Sequence, residues 1–266
     1  MGTGMGLAIA CQLALASMSL RALWRAMRLS RWYGVTAFAI IMQSMALLLR
    51  SPVASTLIGE PVAALFGRGN LEDLLAHLCC LAGESGIMYA VLGRLGNNEA
   101  FRRNMHRYCV VPMTLVVPTM VGVFLISEAA RPQAPNLVGV DPDRWLQTYW
   151  LLFALLLIHL STITMQGLRV LIRDGRNRVS AAAYLICSVV CVVASALQCV
   201  TVLVPGLVPV SVHQSVIFGM KLATTSLLCL VHLPGFMSLL SRAVQPMAGD
   251  HREQGGPRSL PDQSLS

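Results

Sequence analysis

Apolar residues gather along the chain into seven stretches of about 18–24 residues, the length at which an α-helix crosses the ~30 Å hydrocarbon layer. The pattern predicts helices over Thr3–Leu20, Trp32–Leu49, Asp73–Gly93, Tyr108–Ile126, Gln147–Leu168, Ala181–Leu203 and Ser215–Ser238. Short segments holding most of the charge, Pro and Gly separate them. The expected fold is all-α: a polytopic membrane helix bundle of seven transmembrane helices within residues 1–241. A cytoplasmic tail over 242–266, rich in Gly, Pro, Ser and Gln, is expected to be disordered.

Composition strengthens this reading. Of 266 residues only 12% are charged and 55% are hydrophobic, with mean hydropathy +0.65. A soluble domain is nearer one quarter charged, so a water-soluble globule is excluded. The first apolar stretch lacks a positively charged leader and runs directly into Arg21, so it is expected to be a retained helix rather than a signal peptide.

The net charge of +8 comes almost wholly from arginine, with Lys221 the single lysine. Fifteen arginines fall after the first, third, fifth and seventh stretches: Arg21, Arg25, Arg28 and Arg31; Arg94, Arg102, Arg103 and Arg107; Arg169, Arg173, Arg176 and Arg178; Arg242, Arg252 and Arg258. Four lie on the other side: Arg50, Arg68, Arg131 and Arg144. Basic residues favour the cytoplasmic face, so the N-terminus is expected outside and the C-terminus inside, in a bacterial plasma membrane. Six carboxylates gather on the outer side: Glu60, Glu72, Asp73, Glu128, Asp141 and Asp143. The run LIGEPVAALFG is expected to lie as an apolar patch on that face. The bilayer is the expected partner, with a cytoplasmic protein at the arginine-rich inner loops as a candidate. No aromatic-interleaved basic surface points to nucleic acid.

Polar groups inside apolar helices are the candidate chemistry, because each is costly unless it faces protein or water. Counted from the inner arginines at ~1.5 Å per residue, Glu84, His159 and His232 all lie near mid-bilayer. They are expected to face one another as an internal polar layer. Gln12 and Gln43 fall at nearly the same level and are read as interhelical hydrogen-bond glue. The small residues of AGESG around Glu84 would let a neighbouring helix come close. Nearer the outside, Lys221 shares a level with Asp73 and His77, and an outer ion pair to one of them is expected.

Other chemistry is thinner. The eight cysteines lie within or beside apolar runs, with no CxxC, and read as small packing residues. No phosphate loop, nucleophile elbow or HExxH is present, so nothing argues for an enzyme. No cofactor is implied and a metal is undetermined. A haem b ligated by His159 and His232 is a lesser alternative to transport, after a membrane sensor acting with a separate cytoplasmic partner.

Three passages carry a likeness: the first inner loop RALWRAMRLSR, the outer passage LIGEPVAALFGRGNLEDLLAHLCCLAG, and YWLLFALLLIHLSTITMQGLRVLIR. Across most of residues 1–240 the chain resembles a family of actinobacterial seven-helix integral membrane proteins labelled as transporters. The resemblance implies the seven-helix topology and a transport role. It implies no mechanism and no site residues.

The topology is checked by cysteine labelling in intact cells. A cysteine placed at Gly139 is expected to react with an impermeant reagent from outside, and one at Asn98 only from inside; the reverse pattern overturns the orientation.

Overall fold

The computed structural model describes residues 2–27, 31–134, 137, 140–174, 178–204, 207 and 209–233. The tail 242–266, the end of the seventh stretch at Ser238, Gly139, Arg28 and Arg176 lie outside the described residues. The described chain is almost wholly helical and contains no strand. Its helices are α1 (Gly2–Met27), α2 (Arg31–Leu49), α3 (Pro52–Ala54), α4 (Glu60–Phe66), α5 (Leu71–Leu92), α6 (Asn98–Met105), α7 (Val111–Ile126), α8 (Arg144–Arg173), α9 (Arg178–Leu203) and α10 (Val210–Leu230). Wider π-helical turns at Ser55–Gly59 and His106–Val110 join α3 to α4 and α6 to α7. Five segments are long and apolar enough to cross a membrane: Gly6–Trp24, Leu71–Leu92, Asn98–Ile126, Arg144–Arg173 and Arg178–Leu203. Tyr33–Leu49 and Ser215–Leu230 are shorter apolar helices.

The bundle turns apolar side chains outward as well as inward, with polar groups buried among them. Leu115, Leu155, Ile186 and Val193 stand exposed on outward faces, while Gln12, Glu84, Thr164 and Gln198 are buried. An apolar exterior around polar interior groups suits a hydrocarbon surrounding, where only internal partners can satisfy a hydrogen-bonding group.

Helix α5 is the axis of the fold: 72% of its apolar window is buried, against 22% for Asn98–Ile126. On one side it packs into a core with α7 and α8 around Phe124, Tyr149, Trp150 and Phe153. On the other it joins α1, α2, α9 and α10 around Ile40, Ile87, Leu228 and Cys229. Two glycines set the approach of its neighbours. A Cβ on Gly83 would lie 2.9 Å from Gln43 Cγ of α2, and one on Gly167 of α8 would lie 2.6 Å from Val91 Cγ1. Gly83 belongs to the AGESG run, and the neighbour it admits is α2.

The run LIGEPVAALFG is helical as far as Phe66, and it leaves Leu57, Ile58, Leu65 and Phe66 exposed. Gly67 then closes α4 in the left-handed conformation, at φ +65°.

Polar side chains lash the loop after α7 onto the start of α5. Asn70 is fully buried with φ +57°, a conformation that Asn tolerates better than other non-glycine residues. Its amide donates to the carbonyls of Ala130 (3.0 Å) and Pro132 (2.7 Å) and accepts from the Ala134 N–H (3.0 Å). Gln133 returns the contact, accepting from the Asn70 N–H at 2.7 Å and donating to Glu72 Oε1 at 2.6 Å. Asp143 caps α8 by accepting from the Leu146 N–H at 2.7 Å, and also accepts from the Ser127 hydroxyl and the Glu128 N–H, each at 2.9 Å.

Two predictions follow from this lashing. Asn70→Ala is expected to lower stability in detergent by about 2–4 kcal/mol, from lost buried hydrogen bonds and a left-handed backbone. Asn70→Gly should recover roughly 1 kcal/mol of that, because glycine accepts the backbone angle. Burial raises the Asp143 carboxyl, but the N–H groups of Leu146 and Ala129, the Ser127 hydroxyl and the Glu128 N–H outweigh it and hold its pKa below the usual value. A carboxylate depressed in this way stabilises the fold above its unfolded pKa, and that contribution is lost as pH falls through the folded one. Acidifying from pH about 5 to about 3 should therefore lower the unfolding temperature of the wild type more than that of Asp143→Asn.

Candidate functional site

The buried carboxyl of Glu84 (5% exposed) sits midway along α5. Its Oε1 accepts from the Ser161 hydroxyl of α8 at 2.8 Å. This bond fixes which face of α8 looks inward. Residues two apart on a helix project about 200° apart, so His159 is carried to the opposite side. There its Nε2 lies 2.9 Å from the Tyr108 carbonyl in the π-helical turn before α7. A carbonyl only accepts, so this nitrogen is the donor.

The third member of the expected layer lies elsewhere again. His232 falls just past the end of α10, and its Nε2 is 2.6 Å from the Tyr184 hydroxyl of α9. Glu84, His159 and His232 therefore do not converge on one point. Each is held by its own partner: Glu84 by the Ser161 hydroxyl, His159 by the Tyr108 carbonyl and His232 by the Tyr184 hydroxyl.

The outer ion pair is not formed. Asp73 Oδ2 accepts the Leu137 N–H at 2.9 Å. His77 is fully buried, with Nδ1 2.6 Å from the Tyr149 hydroxyl and its ring packed against Trp150 and Phe153. Lys221 instead places Nζ over the Phe153 ring, 5.3 Å from its centroid. Phe153 thus touches both His77 and Lys221 (4.4 Å between the His77 and Phe153 centroids). Gln12 does act as glue: it accepts from the Ser226 hydroxyl at 2.6 Å, tying α1 to α10, while Gln43 donates to the Cys80 carbonyl of α5 at 3.3 Å.

Three cavities follow one another along a single face of α5. The first, about 50 Å³, is lined by Arg50, Cys80, Glu84, Trp150, Phe153 and Lys221 among others. The second, about 20 Å³, shares Gln43, Glu84, Thr224 and Thr225 with the first and reaches Ile87 and Tyr184. The third, about 300 Å³, shares Ile87 and Tyr184 with the second and reaches Arg94 and Asp174. On α5 the lining residues Cys80, Glu84, Ile87 and Val91, with Arg94 just past its end, follow helical spacing, so one stripe of that helix borders the whole series. From Cys80 to Arg94 the stripe is ~21 Å long. Helix α9 lines it from Gln198 down to Ala181, and α2 from Arg50 down to Thr36.

Glu84 is buried, while Arg50, Ser161 and Tyr184, which the sequence pattern does not single out for the site, stand with it, Ser161 as its hydrogen-bond donor and the other two along the cavities. Arg50 was counted only as an outer-side charge. The stripe Cys80–Glu84–Ile87–Val91–Arg94, four, three, four and three apart, was the available signal. Among the described residues no group of three His, Cys, Asp or Glu is placed to hold a metal ion.

The molecule is thus an all-helical bundle with membrane-length apolar helices and a string of internal cavities centred on one carboxyl. In comparisons with protein-family models, curated proteins and solved structures, nothing matches the chain.

Proposed function

We propose that the protein is a seven-helix carrier in a bacterial plasma membrane, with its N-terminus outside, and that Glu84 is the proton-exchanging group of its transport path. The observation behind this reading is the cavity series: Glu84 borders both the first and the second cavity, and Tyr184 both the second and the third. An ionisable group inside a membrane bundle is a functional candidate by default when it faces an internal cavity.

Three features support the seven-span plan. At 1.5 Å per residue the shorter α2 and α10 are still about 28 and 32 Å long, enough for a ~30 Å core. Fifteen arginines on one side against four on the other suit an N-out orientation with an odd number of spans. The actinobacterial seven-helix family that the chain resembles suggests the same plan.

The residues take distinct parts. Glu84 takes up or releases a proton, and the Ser161 hydroxyl orients it by donating to Oε1. The Tyr184 hydroxyl and His232 imidazole form the next hydrogen-bonded relay toward the cavity at Arg94 and Asp174. A hydroxyl–imidazole pair at 2.6 Å can pass a proton by exchanging donor and acceptor roles.

The test is proton uptake into proteoliposomes under an imposed potassium diffusion potential, followed with an internal pH dye, in the presence and absence of inorganic phosphate. Wild-type vesicles should acidify faster than protein-free ones. Glu84→Gln should lose about tenfold or more of that excess rate, the range expected for removal of a positioned proton-transfer group. Tyr184→Phe should lose less. Equal rates for wild type and Glu84→Gln overturn the assignment.

A further inference from the structure

We propose that the first cavity is an oxyanion-binding site, in which Arg50 and Lys221 hold a carboxylate or phosphate group while Trp150 and Phe153 receive the apolar part of the same ligand. This deepens the carrier reading by naming a cargo class, and as cargo it rests on that reading.

The argument begins with two cations lining one small cavity in an apolar bundle. Arg50 stands at the end of α2 and Lys221 on α10, so the fold brings them together from opposite ends of the chain. Neither has a carboxylate oxygen within 4.0 Å; the one ion pair among the described residues joins Arg131 to Glu128 on the exposed loop. Two carboxyls stand nearby without pairing with them: Asp73 accepts the Leu137 N–H, and Glu84, which lines the same cavity, accepts from Ser161. Arg50 and Lys221 carry like charge into the same cavity.

Cations gathered in this way need a counter-charge, since two like charges in a poorly hydrated space cost more than either alone. An anion supplies it. The guanidinium fork matches the paired oxygens of a carboxylate or phosphate, and the ammonium adds a point charge with three rotatable donors. The placement of Lys221 suits a ligand: its Nζ lies on the face of Phe153, a contact that leaves its N–H groups available. Trp150, Phe153, Leu157 and Ile217 form an apolar part of the wall, beside polar residues that include Gln43, Glu84 and Gln198, so an anion with a hydrocarbon portion finds a surface for each of its ends. Such an oxyanion has two sources, a dissolved carboxylate or phosphate and the phosphate of an anionic lipid.

The site is tested by tryptophan fluorescence, because Trp150 lines the cavity. The full chain in neutral detergent is titrated with sodium butyrate and with inorganic phosphate at constant ionic strength. A parallel arm places it in nanodiscs of phosphatidylcholine with increasing phosphatidylglycerol. A saturable change is expected in at least one arm, and the arm that responds identifies the source. Lys221→Gln and Arg50→Gln should each raise the midpoint about tenfold or more, Lys221→Arg should keep it within a few-fold, and the loop variant Arg131→Gln should leave it unchanged. Should Arg50→Gln fail to fold by circular dichroism, the pair Lys221→Gln and Lys221→Arg still decides. No saturable response in either arm, or equal midpoints for wild type and Lys221→Gln, overturns the site. Binding without proton or anion flux would remove the carrier reading and leave the site; Glu84-dependent flux without binding would do the opposite.

Discussion

Everything in this fold turns on how α5 can be both the most enclosed helix and one of the most polar. Over thirteen positions it carries Glu72, Asp73, His77 and Glu84, all buried. An unpaired polar group in such a place costs on the order of 1–3 kcal/mol, and more if charged. Each is met by a partner from one of two neighbouring elements: the loop between α7 and α8 supplies Gln133 for Glu72 and the Leu137 N–H for Asp73, and α8 supplies Tyr149 for His77 and Ser161 for Glu84. The requirement to reach those four partners fixes the rotation of α5 and the register of α8 beside it. It also dictates the course of the loop between α7 and α8, which must fold back over the start of α5.

The same requirement explains why a cavity series exists. The stripe of α5 from Cys80 to Arg94 faces α2, α9 and α10, and the residues those helices bring to it include Gln43, Ser188, Thr224 and Thr225. Short polar side chains satisfy one another without filling space as leucines would. Gaps of this kind are polar enough to hold water. Toward α7, Phe124 and Tyr149 close the packing, and Phe153 is the ring that stands between that core and the first cavity.

The sequence made the helices legible and their facing illegible. Apolar length gave α5 within two residues of its bounds, and α9 within three, because hydrophobic runs end where charges begin. Amphipathic extensions were missed for the same reason: α8 continues to Arg173 and the segment before α7 begins at Asn98, since polar residues can extend a helix beyond its apolar run. Depth, counted from arginines, put Glu84, His159 and His232 at one level. Depth says nothing of azimuth, and the two-residue offset between His159 and Ser161 sends the histidine toward α7. The Lys221 ion pair failed similarly. Matching level with Asp73 and His77 did not reveal that Phe153 and the Leu137 amide would occupy the space between.

The lashing of the loop after α7 has a mechanical consequence. Asn70, Gln133 and Asp143 bind the ends of α5, α7 and α8 at one pole of the bundle with bonds of 2.6–3.0 Å. At the other pole α5 and α8 part around the 300 Å³ cavity near Arg94, together with α2 and α9, and there the Tyr184 hydroxyl and His232 hold each other at 2.6 Å. The loop between α7 and α8 is therefore a built part of the bundle, and replacing it would unseat the start of α5 along with it.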